Sequence, residues 1–449
     1  MRQNKDYLIT EKPSRALFIF ALPMIIGNLF QQAYTIVDSA IVGHFVGETA
    51  LAAVGASYAL TSIFICIAIG GGIGASVIIS QHFGGHDYEK MKTSIYTAML
   101  SFLVISMLLG GIGLCFSRQI MTALNTPADA MNIAVIYLNI YFYGLPFLFM
   151  YNILSSLFNA LGESRIPLYL LIFSSVLNII LDLYMVAVLD LGVAGAAYAT
   201  FIAQGISAVC SFIIFLRTLR RYEGRATQLF SKTEFIAMSK IALPSILQQS
   251  TVSIGMMLVQ SVVNGFGTQI LAGFSAGMRI ESLCIVPMAA IGNALSSYTA
   301  QNIGAERIDR ITSGYRAANR MIITVAVVLC LFLELLHRPL IGLFLDADPS
   351  AQTIATGENY LKFIGFFFCM IGFKMAVDGI LRGAGAVKVF TIANLVNLAI
   401  RVLLAKYGAP LWGIEVVWYA VPIGWTANFI ISYSYYRTGE WKDKSKELR

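Results

Sequence analysis

Leu177-Asn178-Ile179-Ile180-Leu181-Asp182 sets an amide and a carboxylate four residues apart inside a long apolar run. At that spacing both side chains leave one face of a helix. The run spans about 166–188, long enough for a helix to cross a hydrocarbon core of about 30 Å. An ionised carboxylate at the centre of a bilayer costs roughly 2.5–3.5 kcal/mol even on lenient insertion scales, so an acid retained there generally has a partner and a task. The sequence offers a partner in the first apolar segment. Tyr34 and Asp38 repeat the four-residue spacing there, among Ile36, Val37 and Ala40. The chain reads as a scaffold for these two acids.

Working outward, 57% of the 449 residues are hydrophobic and 12% are charged, against about 25% charged in globular proteins. Such a composition belongs to an all-α polytopic membrane protein, because only backbone that satisfies its own hydrogen bonds can cross a bilayer. Twelve apolar stretches are expected to be spans: 14–38, 49–80, 93–116, 133–161, 166–188, 192–216, 234–264, 270–300, 318–345, 354–381, 387–407 and 413–436. The first is too long for a secretory leader, and no small-residue cleavage site follows it.

The net charge of +7 raises the question of nucleic acid, and its distribution answers it. Of 31 Lys and Arg, 24 fall in 1–15, 84–92, 162–166, 217–240, 304–320, 382–388 and 437–449. The alternate connections carry only Arg118, Arg338 and Lys406. This asymmetry is the positive-inside pattern, so both termini are expected in the cytoplasm of a cell whose cytoplasmic membrane holds the chain. The basic excess is thereby explained without a nucleic-acid partner. The six cysteines (Cys66, Cys115, Cys210, Cys284, Cys330, Cys369) lie in predicted helices without metal-like spacing and read as packing residues. His44, His82, His86 and His337 fall at helix ends or in loops.

The long basic connection Arg217 to Lys240 divides the chain into two sets of six spans, residues 1–222 and 223–449. Ala21-Leu22-Pro23 opens one set and Ala242-Leu243-Pro244 the other. Gln81-His82-Phe83-Gly84 pairs with Gln301-Asn302-Ile303-Gly304, and Leu161-Gly162-Glu163 with Ala384-Gly385-Ala386. Repeats with an even number of spans keep one orientation, so the lobes are expected to be related by a pseudo-two-fold axis along the membrane normal. Pro23, Pro146, Pro244, Pro287 and Pro422 fall in or near spans, where each permits bending.

The lobes differ where the acids are. Val37-Asp38-Ser39 corresponds to Val259-Gln260-Ser261, and Asn397 with Arg401 stands where Asn178 with Asp182 does. A requirement shared by both lobes would give similar residues in both, so the N-terminal lobe is expected to hold a dedicated ion site. Two acids in a low-dielectric pocket can share one proton. With Asn178, Thr200 and Asn152 the same acids can offer hard oxygens to sodium, and both options stay open. In the second half Arg279, Glu281, Lys374, Asp378, Arg401 and Glu415 also fall in or near spans. Lys374 and Asp378, four apart, suit a self-neutralised pair; Glu281 is the candidate second functional acid. Seventeen Met and 29 Phe suit an adaptable apolar wall. No G-x-x-x-x-G-K loop occurs, so energy is expected from an ion gradient rather than ATP.

These residues together resemble the multidrug and toxic compound extrusion (MATE) transporters. The likeness rests on the two-lobe layout, Tyr34-Thr35-Ile36-Val37-Asp38 with Gly43, Gln81 to Gly84, and Leu177 to Asp182. It implies a monomeric antiporter, without a cofactor, that exports amphipathic, cationic compounds in exchange for H+ or Na+ through a cleft between lobes. It further implies a cation site at Asp38, Asn178, Asp182 and Thr200, with Gln31, Tyr34 and Asn152 lining the pocket beside it; Glu281, read from the residues themselves, is added as an expected substrate-side acid. Where the NorM-type branch places a sodium-binding glutamate, this chain reads Gln248-Gln249-Ser250, and it is more similar to the DinF-type branch. Flippases of lipid-linked precursors share the two-lobe plan and are the rival reading; twelve spans rather than fourteen favour the exporter.

Overall fold

The computed structural model describes residues 6–46, 48–124, 126–345 and 349–444, and they form helices and short turns with no strand among them. The tips of both basic terminal segments, 1–5 and 445–449, lie outside the described residues, as do parts of three connections at 47, 125 and 346–348. In chain order the helices are α1 (Tyr7–Thr10), α2 (Pro13–Val46), α3 (Glu48–Gly84), α4 (Tyr88–Ala123), α5 (Ala128–Ala160) and α6 (Arg165–Asp182), the last continuing into a π-helical turn, Leu183–Val188. Then come α7 (Gly192–Leu219), α8 (Lys232–Asn264), α9 (Thr268–Gly304), α10 (Ile308–Gly342), α11 (Ala351–Gly365), α12 (Phe368–Gly383) and α13 (Val387–Leu403). A second π-helical turn, Leu404–Gly408, leads to α14 (Ala409–Trp412), α15 (Glu415–Thr438) and α16 (Trp441–Lys444).

Ten helical segments are long and apolar enough to cross a membrane, and α11 with α12, bent by 53° at their break, makes an eleventh. The stretch 354–381 is thus a broken span, interrupted at Phe366 and Phe367. The twelfth expected span is α15, whose 24 residues suffice in length. Trp418, Tyr419, Trp425, Asn428 and Tyr433 lower its hydropathy, and of these Trp418, Trp425 and Asn428 are buried within the unit.

By internal contacts the chain divides into two compact units, residues 26–246 and residues 1–25 with 247–449. Their limits differ from the sequence-defined lobes, 1–222 and 223–449, over residues 1–25 and 223–246. Both limits fall inside helices, α2 and α8, just past Pro23 and Pro244. Each proline deletes one backbone hydrogen bond, which lets a helix change direction there.

In the unit 26–246, α5 packs against α3, α4 and α7, and α6 against α7. The run Gly70-Gly71-Gly72 on α3 makes this possible, since a Cβ at Gly70 would stand 2.5 Å from the backbone nitrogen of Ile246 and one at Gly72 would strike the Ser156 hydroxyl. Small residues are the usual means of close helix approach in membranes. The segment leading into α8 straps the end of α3 and α4. Lys92 Nζ donates to the carbonyls of Tyr222 and Gly224, each at 2.7 Å. Thr93 and Thr97 hydroxyls accept from the N–H of Thr227 (3.1 Å) and Ser231 (2.9 Å). Glu234 accepts from Ser94 (2.6 Å) and faces His82 Nε2 at 3.0 Å.

The other unit repeats this plan. Helix α9 is central, packed by α10, α11 and α12, and α13 pairs with α15. A Cβ at Gly379 would run into the Gly292 carbonyl oxygen, so α9 and α12 touch backbone to backbone. Here the strap is the segment leading into α2. Tyr7, Leu8 and Ile9 are buried. The Leu8 carbonyl accepts from Asn302 Nδ2 (3.1 Å), Ile9 from Arg307 (3.2 Å) and Glu11 from Arg310 (2.5 Å). His82 and Asn302 hold equivalent places in the two repeated motifs, and each anchors its strap.

Candidate functional site

Helix α2 presents Tyr34 and Asp38 one turn apart, and the last turn of α6 presents Asn178 and Asp182 in the same way. The two faces meet. Asn178 is hydrogen-bonded to the Tyr34 hydroxyl. In the amide orientation that satisfies both of its ends, its nitrogen donates to Tyr34 Oη and to Asp182 Oδ2 (2.9 Å), and its oxygen accepts from the N–H of Thr200 on α7 (3.0 Å). The Thr200 side chain also hydrogen-bonds Tyr34.

Asp38 and Asp182 face one another closely enough to share a hydrogen bond when one carries a proton. Asp182 has no exposed surface, and its Oδ1 is buried with no hydrogen-bond partner among the described residues. An orphaned buried carboxylate oxygen is costly; a proton or a small cation between the two acids would satisfy it. The oxygens of Tyr34, Asp38, Asp182 and Thr200 form the donor set available to such an ion, with the Asn178 amide nitrogen holding Tyr34 and Asp182 in place beside it.

Five of the expected residues are therefore in one cluster, and three are elsewhere. Gln31 is exposed on α2, one turn before Tyr34. Asn152, on α5, turns back on its own helix and donates to the Leu148 carbonyl at 2.9 Å. Glu281 belongs to the other unit, where it accepts from Tyr360 Oη at 2.5 Å. Lys374 and Asp378 form a buried ion pair at 3.0 Å, extended by Asn394 on Lys374 (3.0 Å) and Ser432 on Asp378 (2.9 Å). Arg279 and Glu415 are exposed.

The residue missed from sequence is Tyr137 on α5, which lies in electrostatic range of Asp38, Asp182 and Tyr34. Tyr141, one turn on, donates to the Thr61 carbonyl at 3.3 Å. The signal was a third four-residue polar pair, Tyr137 and Tyr141, inside an apolar span. An apolar cavity of about 410 Å³ also lies in this unit, bordered by Phe102, Phe149, Phe235, Met238, Leu243 and Ile246. None of the six cysteines is in a disulfide.

An α-helical membrane protein built from two repeats, with a polar cluster buried among its spans, has the layout of a transporter. Residues 23–184 and 244–406 each match the MatE family model, and the chain belongs to that family. The two matches reproduce the internal repeat and begin at Pro23 and Pro244. The probable multidrug resistance protein YpnP of Bacillus subtilis (strain 168) is 30% identical over 430 residues, covering 95% of this chain and 96% of that one. An FAD transporter of Shewanella oneidensis (strain MR-1) is 23% identical, covering 94% of each. Among solved structures, an outward-facing multidrug resistance MATE transporter of the MOP superfamily superposes with a TM-score of 0.87 at 23% identity, over 100% of both chains. The protein is a membrane transporter, not an enzyme.

Proposed function

We propose that this transporter is an antiporter of the cytoplasmic membrane that exports amphipathic, cationic compounds by alternating access, driven by an ion held at Asp38 and Asp182 with Asn178 and Thr200. The observation that carries this reading is the Asp182 carboxyl, fully buried with one oxygen unpartnered and a second acid facing it. Two facing acids suit a site that is loaded from solution. The proton is the preferred ion, because the place of a NorM-type sodium glutamate is held by Gln248-Gln249-Ser250. The multidrug names of the relatives support the substrate class. The Phe- and Met-bordered cavity supplies apolar surface for such molecules. Gln31, Tyr34 and Asn152 are proposed to line the substrate side of the acid cluster. Both termini are proposed to be cytoplasmic, on the distribution of basic residues, and the chain to act as a monomer.

The test is uphill export of a cationic dye from proteoliposomes under an imposed pH or sodium gradient. The unaltered chain should concentrate the dye against its gradient, while Asp38→Asn and Asp182→Asn, which keep shape and remove charge, should only let it equilibrate. Uphill export by both variants refutes the assignment of the ion site.

A further inference from the structure

The cavity of about 410 Å³ in the unit 26–246 exists because small residues line it: Gly71 and Ala75 on α3, Ala98 and Ser101 on α4, and Ser239 and Ala242 on α8. Large side chains close its floor. Phe102 lies over Gly71, where a Cβ would stand 2.7 Å from its ring, and packs on Phe149 with ring centroids 5.9 Å apart. Phe102, Phe149 and Met238 are all buried. The opposite side opens on the molecular surface, since Leu243 on the rim is 66% exposed. Leu100, Val104 and Leu108 on α4 and Ile236 on α8 are exposed as well, and such an apolar face on two spans meets hydrocarbon. The cavity begins one helical turn inside the strap: Ala98 follows Ser94 and Met238 follows Glu234 by four residues, and Ser94 donates to Glu234 at 2.6 Å.

Water does not settle in a space with so few polar partners, as apolar cavities of this kind stay dry. Left empty, the lining would lose its dispersion contacts, at a cost that grows with the volume. A cavity that opens toward the bilayer is filled by what stands at its mouth, the acyl chain of a lipid. A basic group is placed to meet the headgroup. Lys240 is exposed on α8, between the lining residues Ser239 and Ala242. Long side chains on a helix lean toward its N-terminus, and a lysine extends its ammonium to the interface. For α8 that end is the strap. Glu234, the one acid on α8, is turned to Ser94 and His82 and leaves the ammonium to another partner.

We propose that this cavity is a phospholipid site, in which one acyl chain of an anionic lipid fills the space between α3, α4 and α8 and Lys240 holds the headgroup phosphate. The lipid belongs to the leaflet on the strap side, which is the cytoplasmic leaflet in the orientation proposed above. A substrate that uses the same apolar surface displaces the chain, so anionic lipid and amphipathic cation compete for one place. The competition rests on the proposed export function; the lipid site does not.

Photolabelling tests this, with the full-length protein in liposomes that contain a trace of phosphatidylglycerol carrying a diazirine in its chain. Irradiation should leave adducts on Phe102, Phe149 or Met238, buried side chains that only a chain inside the cavity can touch. Leu100 and Val104, exposed on α4, should be labelled by any bilayer lipid and serve as the reference. Unlabelled phosphatidylglycerol should suppress the buried adducts at about fivefold lower mole fraction than phosphatidylcholine, the preference that one basic side chain confers at a membrane surface. Lys240→Gln should remove that preference and leave the Leu100 adducts unchanged. Ser239→Leu, which fills the cavity, should abolish the buried adducts. Adducts confined to the exposed residues of the unaltered protein overturn the proposal, whether or not Ser239→Leu folds. Equal competition by the two lipids, or a preference that survives Lys240→Gln, overturns the place given to the headgroup. Labelling of the buried residues by a photoreactive phosphonium cation but not by the lipid makes substrate the occupant and overturns the proposal as well. Failure of uphill export refutes the ion site and alters none of these adducts, so the two failures are distinct.

Discussion

Lys92→Met should free the strap that leads into α8 while leaving the helices assembled. The Lys92 ammonium is buried at the end of α4, and its two short hydrogen bonds hold the carbonyls of Tyr222 and Gly224. Gly224 takes φ of +79°, a conformation that glycine adopts without strain, and a Cβ there would come within 2.9 Å of the Glu89 side chain. Hydrogen bonds to a charged group contribute about 1.5–3 kcal/mol each, but these two share one donor group, so roughly 2–3 kcal/mol is a fair total. Methionine keeps most of the apolar stem, which limits the change to the ammonium. A loss of that size makes the open strap about 30- to 150-fold more populated. The amides of Thr227 and Ser231, bonded to Thr93 and Thr97 hydroxyls, report the opening. Hydrogen exchange of peptides covering 222–231 in nanodiscs should accelerate by that factor, while peptides covering 6–11 exchange as before. Exchange within about twofold of the unaltered protein would show that the ammonium does not hold the strap.

The corresponding change in the other unit, Arg310→Met, removes donors to Asn302 Oδ1 (3.0 Å) and the Glu11 carbonyl, and should accelerate exchange over residues 6–11 by a similar factor. Gly379→Ala forces a methyl against the Gly292 carbonyl oxygen and should destabilise the packing of α9 on α12 by about 1–3 kcal/mol, read as a lower thermal midpoint in detergent. Asn178→Ala takes the shared amide from Tyr34, Asp182 and Thr200; a charge-assisted bond of about 1.5–3 kcal/mol predicts roughly 10- to 100-fold weaker ion dependence of export, with expression unchanged. Tyr137→Phe keeps the ring and removes the hydroxyl beside both acids, so the ion concentration for half-maximal export should shift several-fold while thermal stability does not.

The spans were legible because a bilayer demands long apolar helices, and that demand is written in composition. The broken span of α11 with α12 and the helix α15 strained the rule, the latter because its Trp and Tyr score as polar. Asp38, Asn178 and Asp182 were equally legible, because an acid in such a run has few reasons to be there. Tyr137 was not, as a tyrosine carries no charge to make it conspicuous and 21 occur in the chain. The straps were hidden for another reason. Their acceptors are backbone carbonyls, which every residue possesses, so nothing in Tyr7 to Glu11 or Tyr222 to Gly224 marks them. The limits of the contact units at Ile25 and Ile246 were half visible, as the prolines that precede them were read as points of bending rather than as places where a helix passes from one unit to the next.

The repeat has preserved the straps and divided the buried charges, and the physical demands on the two features explain why. A strap needs only a polar side chain at a helix end and a carbonyl or carboxylate to meet it, so His82 and Asn302 serve equally although they share no chemistry beyond hydrogen bonding. An ion site is less tolerant, because each buried acid needs one positive charge and the source of that charge decides whether the site can be emptied. Asp182 beside Asp38 leaves an oxygen without a hydrogen-bond partner among the described residues. Glu281 instead accepts a hydrogen bond from the Tyr360 hydroxyl.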